Sequence, residues 1–544
     1  MFACPGCGAG LRFDIASQKL HCDYCDGSYS VTDYPYEKSA AGRTMYDVTV
    51  FTCPACGGEL ESTDNEIIQF CPFCGASNVL SSRMEGRLRP QHIIPFQKTK
   101  QDCIQAFQKK AKRALFAPKE LRDPSFLEGF RGIYLPYWEY EVDQGTEGDG
   151  VTFEGTKTVK DYYDVYQITV PLAATLKGLQ YDASSSFDDV IGEEIAPFGG
   201  EESQENFEPG YLAGFYADTA DVPSEVYESQ IHEYANERTQ KELKLSYMKK
   251  GYEVEKLPDP NMAYHTSIRS AERLLVPVWF LTFRGKSRVS YSVINGETGK
   301  ISADIPVDVK RYLLWSLVLA VPLFVLLNLF VSATAPSAML GCGYLAALCG
   351  TIYCWTMSCI IDRDQHAEDT GYQYLHGIPK ERGSTWKRTR KIREYIHKSV
   401  GKISWGIVIA FAIVFIAVAD ELDFSLDDIW RVFGCYGVLG SAGAKCLGVF
   451  AVLLALYALW QGLYTTDNRM VLEAMLSVLA IGTVLFVRHR KPVQDYYYYG
   501  GMLVCLVLVA MSLVALIFRH NELSTHPIPN FHDRKGGGSD EERQ

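Results

Sequence analysis

The chain predicts a multidomain fold: two small β zinc ribbons, an α+β soluble domain carrying a candidate internal duplication, and an α-helical polytopic membrane domain. Three observations lead there. Four CxxC pairs crowd the first 75 residues, long uncharged apolar runs fill the C-terminal part, and a polar region between them repeats one aromatic motif. In order, the expected units are a first ribbon over 1–35 and a second over 50–82. An α+β domain follows over 86–309, with an acidic insertion at about 178–237. About six transmembrane helices occupy 310–520, and a disordered polar tail covers 521–544.

The ribbons rest on spacing. Cys4, Cys7, Cys22 and Cys25 are arranged C-x2-C-x14-C-x2-C, and Cys53, Cys56, Cys71 and Cys74 repeat this 49 residues later. Two thiolates two residues apart grip one side of a tetrahedral Zn²⁺ site, and a second pair closes it from across a hairpin. Three of the four knuckles read C-P-x-C-G, at Cys4–Gly8, Cys53–Gly57 and Cys71–Gly75. Proline presets φ, and glycine allows the tight turn that aims N–H groups at sulfur. Strand-like pieces lie between, Leu11–Asp14 with Lys19–His21 and Glu59–Ser62 with Ile67–Phe70. Disulfides would need an oxidising compartment, and no signal peptide precedes Cys4. A redox CxxC would open a helix within a βαβ unit, and none surrounds these pairs. With four thiolates per ion no position stays open for substrate, so two Zn²⁺ ions are expected to be structural.

Charge argues against nucleic acid as a partner. Residues 1–80 hold four Lys and Arg against ten Asp and Glu, a net of −6. Each Zn(Cys⁻)₄ centre adds −2, giving about −10. Non-specific affinity for a duplex comes from basic side chains on phosphates, and this segment would repel one.

Tyr312–Ser332, Ala338–Ile361, Ile403–Ala419, Leu447–Tyr464 and Tyr497–Phe518 are apolar runs of membrane-spanning character, and Val471–Val487 is a sixth despite Glu473. Lys310 and Arg311 precede the first, and the loop Asp362–Lys402 carries ten Lys and Arg. Asp420, Glu421, Asp423, Asp427 and Asp428 follow the third. The positive-inside rule then places the N-terminal head and the basic loop in the cytoplasm. Reduced thiolates require the same side. Arg488–Lys491 would fall outside with six spans, and the weak run Trp430–Ala444 leaves the number open between four and seven. Apart from Glu473 the spans contain no Asp, Glu, Lys, Arg or His, which weighs against a pump, ion channel or coupled transporter.

In the middle region Thr99–Leu115 reads as a helix, with Thr99 and Asp102 as a capping box and Ile104, Phe107, Ala111 and Leu115 on one face. Lys109, Lys110, Lys112 and Arg113 take the other face. Leu135-Pro136-Tyr137-Trp138 is echoed by Val276-Pro277-Val278-Trp279 at an offset of 141 residues. Each copy follows a helical stretch, the second over Ser224–Lys250 with Tyr227, Ile231 and Tyr234 on a stripe. Each precedes a hairpin, the second turning at Asn295-Gly296. Two related halves, or coincidence between aromatic strands, both fit. The run between Lys177 and Arg238 has no basic residue and reads as an acidic, partly mobile insertion. No Walker A loop, H-E-x-x-H, G-x-S-x-G or dinucleotide fingerprint occurs, so no enzyme is expected. His92, His232 and His265 are isolated.

The CPxCG knuckles, Ile93-Ile94-Pro95-Phe96, the two Trp motifs and Asn295-Gly296-Glu297-Thr298-Gly299-Lys300 resemble a largely uncharacterised family of bacterial membrane proteins. These carry N-terminal zinc ribbons of the transcription-factor-IIB type. The resemblance covers residues 1 to about 310. It implies a membrane-bound adaptor, some relatives being associated with envelope-stress systems of the phage-shock kind. The expected function is therefore an inner-membrane, multi-pass protein whose cytoplasmic zinc ribbons recruit or sense a protein partner. A membrane-tethered regulator linked to nucleic acid is the alternative, and a transporter of a neutral or lipid substrate the third.

Overall fold

The computed structural model describes residues 2–36, 45–63, 70–77, 80–146, 148–159, 162–199, 201–254, 257, 259, 264–330, 335–364, 369–375, 456–458, 468–490 and 492–532. The first ribbon is a three-stranded sheet of β1 (Arg12–Asp14), β2 (Lys19–His21) and β3 (Ser28–Tyr29). The second uses β4 (Met45–Thr52), β5 (Glu59–Ser62) and β6 (Ser81–Leu88), with β4 central. Residues 64–69, where a partner strand is expected, lie outside the described residues. β6 is an edge strand carrying Arg83, Glu85 and Arg87, and such charges discourage pairing with another sheet.

The second ribbon is not a separate bead, contrary to the expected boundary at 82–86. Its β5 pairs with β13 of the next unit, so its strands extend one twelve-stranded sheet. That unit begins with β7 (His92–Ile93) and α1 (Lys100–Arg113). Thr99 caps α1 through Asp102 in both directions, as the sequence predicts. Ile104, Phe107 and Ala111 are buried, but the helix stops at Arg113 and leaves Leu115 exposed. Next come β8 (Arg131–Gly145), the hairpin of β9 (Val151–Val159) and β10 (Tyr162–Val170), and β11 (Ala173–Asp182). The supposed mobile insertion is folded: it forms α2 (Asp189–Ile195), β12 (Glu205–Asn206) and β13 (Tyr216–Asp218) and buries Tyr211, Leu212 and Phe215. Those apolar residues, scattered among acids, anchor a segment that charge alone marked as loose. α3 (Glu228–Lys249) buries Ile231, Ala235 and Thr239, while Tyr234 points outward, so the stripe runs one residue off its expected line. β14 (His265–Arg284), β15 (Arg288–Asn295) and β16 (Ile301–Ala303) complete the unit.

The two aromatic motifs meet at the centre of the sheet. β8 and β14 run antiparallel with Leu135 opposite Val276, the residues that correspond in the 141-residue echo. Their surroundings repeat about that point. β13 lies parallel to β8 at Ile133 and Tyr134, as β7 lies parallel to β14 at Leu274 and Leu275. β11 follows β8 as β15 follows β14. The Trp138 indole donates to the Val222 carbonyl at 2.8 Å, and the Trp279 indole donates to that of Lys98 at 2.8 Å. The pairing is locally two-fold, with each half supplying a short strand to the other. The β9–β10 hairpin is an addition to the first half only. At Gly132 the absence of a side chain admits Phe215, which would lie 2.5 Å from a Cβ there and stacks on Phe96 at 4.5 Å.

The apolar segments form α4 (Val309–Phe330), α5 (Ala335–Asp364), the short α6 (Thr370–Leu375), α7 (Asn468–Arg490) and α8 (Tyr496–Leu523). Among the described residues, three helices are long and apolar enough to cross a membrane: Gly341–Ile361, Arg469–Val487 and Tyr496–Leu523. α5 continues to Asp364, past the expected loop boundary. α7 runs antiparallel to α5, with Val484 against Gly343 and Ser477 against Gly350, and it buries Glu473 against Ser512 of α8. Ile403–Ala419, Trp430–Ala444 and most of Leu447–Tyr464 lie outside the described residues. Residues 521–532 of the expected disordered tail are folded, and 533–544 lie outside the described residues. β17 (His526–Pro527) pairs with β15, and Phe531 is buried against Phe73 of the second ribbon.

Candidate metal centres and the joint beneath them

All eight predicted ligands come together as two tetracysteine clusters, with the four sulfurs of each within 4.8 Å of one another. In the first, Cys4 Sγ lies 3.5 Å from Cys25 Sγ, and Cys7 from Cys22 at 3.5 Å. In the second, Cys53–Cys74 and Cys56–Cys71 are 3.8 and 3.7 Å apart. A Zn–S bond of about 2.3 Å puts the sulfurs of a tetrahedron about 3.8 Å apart, so both clusters fit such an ion. The knuckles explain why. Gly8, Gly57 and Gly75 donate to the carbonyls of Cys4, Cys53 and Cys71 at 2.8, 2.8 and 2.9 Å, with φ near +70°. In the fourth knuckle Asp26 takes the glycine's place at φ +56° and donates to Cys22 O at 2.9 Å. Tyr29 places its hydroxyl 3.5 Å from Cys4 Sγ and, with the N–H of Gly6, draws that thiol down to about 6.

The two clusters differ in their surroundings. Every ligand of the second is buried, whereas Cys7 and Cys25 of the first are exposed. The first ribbon is docked through Phe13, which meets Tyr211 and Phe215 and bonds by its N–H to Ala213 O at 2.9 Å. Its outer knuckle stays open, with Tyr24 83% exposed between Asp23 and Asp26. The second is roofed by the tail: Phe531 N–H donates to Cys56 O at 2.6 Å, and a Cβ on Gly57 would sit 3.0 Å from His532.

A cavity of about 230 Å³ opens where the second ribbon joins the two-fold unit, between Tyr46, Glu61, Arg87, Asp218 and Arg273. Glu61 is buried, meets Arg87 Nε at 3.2 Å and accepts from the Tyr46 hydroxyl at 3.3 Å. Burial outweighs the guanidinium and pushes its carboxyl up to about 7. The site can therefore take up a proton near neutral pH. Nothing in the strand Glu-Leu-Glu-Ser announces this, since alternation alone reads Glu61 as solvent-facing. Of the isolated histidines, His92 meets Glu272 at 2.9 Å, and none joins a metal cluster among the described residues.

The head grips the helices through Arg288 of β15. Its guanidinium binds Asp364, at the end of α5, through two nitrogens at 2.9 Å each, and also the carbonyls of Glu522, in the last turn of α8, and Thr525, just after it. Arg363 donates to the carbonyls of Glu522, Leu523 and Thr525, supplying partners that a helix C-terminus lacks. Asn521 and the backbone of Val307 exchange two bonds of 2.8 Å just before α4. The start of α4 and the ends of α5 and α8 therefore converge on the head.

No family model matches the chain, and no solved structure matches it. A protein of Bacillus subtilis (strain 168), "Uncharacterized protein YdjG", is 25% identical over 358 residues, covering 63% of this chain and 99% of the relative.

Proposed function

We propose that this is a multi-pass inner-membrane protein whose head, ordered by two structural Zn²⁺ ions, recruits a cytoplasmic protein through the first ribbon. The asymmetry between the clusters carries the reading. The second is walled into the sheet, while the first holds an exposed tyrosine at a rigid knuckle. A large amphipathic side chain on a stiff base loses little entropy on binding, and tyrosines are enriched among residues that dominate interfaces. The flanking Asp23 and Asp26 favour a basic partner and disfavour nucleic acid. The resemblance to envelope-stress adaptors supports the same class.

Orientation follows from charge and from the joint. The basic loop after α5 and the need to keep the thiolates reduced both support a head on the inner side. That α4 leaves the head and α5 and α8 return to it supports an even number of spans. Six is the number that includes Ile403–Ala419 and Leu447–Tyr464. The test is a photo-crosslinking side chain placed at Asp23 in the otherwise intact protein, compared in cells with the same protein carrying Tyr24→Ala or Cys22→Ser. At equal membrane levels, a cytoplasmic protein captured by the parent should be lost from both. Capture that persists in both rules out recruitment through this knuckle.

A further inference from the structure

Two carboxylates seven residues apart and a third from far along the chain converge beside the head–helix joint. Asp182 ends β11, Asp189 opens α2, and Asp369 precedes α6 on the segment that leaves α5. The Thr370 N–H donates to Asp189 Oδ2 at 3.0 Å, bringing the α6 segment onto α2. Asp182 is 5% exposed and Asp369 2%. Among the described residues neither Asp182 nor Asp189 pairs with a Lys or Arg, and Asp182 Oδ2 is buried with no hydrogen-bond partner. Asp182 and Asp189, ionised as neighbours in a dry site, would repel one another and require a cation or protons.

A second observation is independent of the acids. Tyr227, just ahead of α3, is 1% exposed, and its hydroxyl has no hydrogen-bond partner among the described residues. It is aimed at the same spot: a Cβ on Gly371 would lie 3.3 Å from this hydroxyl and 3.7 Å from Asp369 Oδ1. After burial, the charges that bear most on it are those of Asp189, Asp182 and Asp369. A buried phenol oxygen without a partner, facing carboxylates, supplies a further hard donor.

We propose that Asp182, Asp189, Asp369 and the Tyr227 hydroxyl bind a hard divalent cation, Mg²⁺ or Ca²⁺, that pins the segment leaving α5 to the head. Oxygen-only donors suit these ions and not the softer metal of the cysteine clusters. The three carboxylates do not close to within 4.8 Å as the cysteines do. At least one of them therefore holds the ion through one of its waters, which Mg²⁺ commonly retains. The site would make attachment of the helices to the head depend on divalent cation concentration.

The experiment uses full-length, zinc-loaded protein in detergent, freed of other divalent ions and titrated with Tb³⁺. Tyr227 and its stacking partner Tyr181, 5.1 Å away, sensitise Tb³⁺ luminescence. The parent should give saturable emission displaced by Ca²⁺ or Mg²⁺. Asp369→Asn should weaken Tb³⁺ binding about tenfold or more, as loss of a metal's supporting group does. Asp164→Asn, on the exposed β9–β10 hairpin, should not. If Asp369→Asn fails to retain its zinc, Tyr227→Phe decides, since it removes one oxygen and no packing, and weaker binding is again expected. Absence of saturable emission in the parent overturns the proposal, as does unchanged affinity in the deciding variant.

Discussion

With Zn²⁺ in both tetracysteine clusters, as proposed above, truncation of Phe531 to alanine should free the second ion and leave the first untouched. The parent is expected to lose its two ions to an excess of chromophoric chelator in two phases. The fast phase belongs to the first ribbon, whose Cys7 and Cys25 face solvent, and the slow one to the second, whose ligands are all buried. Phe531 is 8% exposed, with its ring 5.8 Å from that of Phe73 and its N–H on Cys56 O. Burial of a phenylalanine side chain is worth about 1.5–3 kcal/mol, so loss of this roof should favour opening by about 10–100-fold. Since a chelator reaches the thiolates only from the opened state, the slow rate should rise by the same factor. Full-length protein in detergent, kept reduced, is followed by absorbance, with Cys22→Ser and Cys71→Ser assigning the phases. A single rate for both ions, or a slow phase indifferent to Phe531→Ala, would refute the reasoning.

Glu61 sets a pH dependence whose sign is determined. Its folded carboxyl, at about 7, lies above its ordinary 4.5, so the folded state holds the proton more firmly. The stability it contributes, about 3 kcal/mol, is fully present below pH 4.5 and lost as pH rises through 7. Glu61→Gln should flatten the fall in thermal midpoint between pH 5 and 8, and identical slopes would count against the assignment. Arg288→Met removes the charged bonds to Asp364 and should loosen the joint by about 2 kcal/mol, read as faster proteolysis around residues 364 and 525. Trp279→Phe leaves the Lys98 carbonyl without its donor and should cost about 1–3 kcal/mol in unfolding, with a smaller loss at the half-buried Trp138. Asp26→Gly relieves a left-handed residue and should stabilise the first ribbon by about 1 kcal/mol, slowing its zinc release.

What could be read from the sequence was local. The ligands were legible because four thiolates at fixed spacing state their own chemistry, and α1 because Thr99 and Asp102 cap it within one turn. The aromatic motifs were visible, but their pairing was not. β7 and β13, which complete the two-fold surroundings, have two and three residues and leave no periodic trace. Composition misread two segments. Around Tyr211 and Phe215 the acids hid the apolar anchors, and after Asn521 a lone Phe531 in a polar tail gave no pattern. Asp182, Asp189 and Asp369 belong together only because β11, α2 and the exit from α5 fold to one place, and no spacing rule spans that distance.

The tail over the second ribbon has a consequence for biosynthesis. Cys53 to Cys74 leave the ribosome long before Phe531, and every helix described between them is made in the interval. The thiolates can take their metal early, but the lid arrives last, after α8 is in place and Arg288 has found Asp364 and the end of that helix. Closure of the second site should therefore follow completion of the apolar helices and their return to the head. A chain cut short before Phe531 should surrender its zinc as readily as Phe531→Ala, marking an unfinished product chemically. If it held the ion as firmly as the full-length protein, the lid would have no such role.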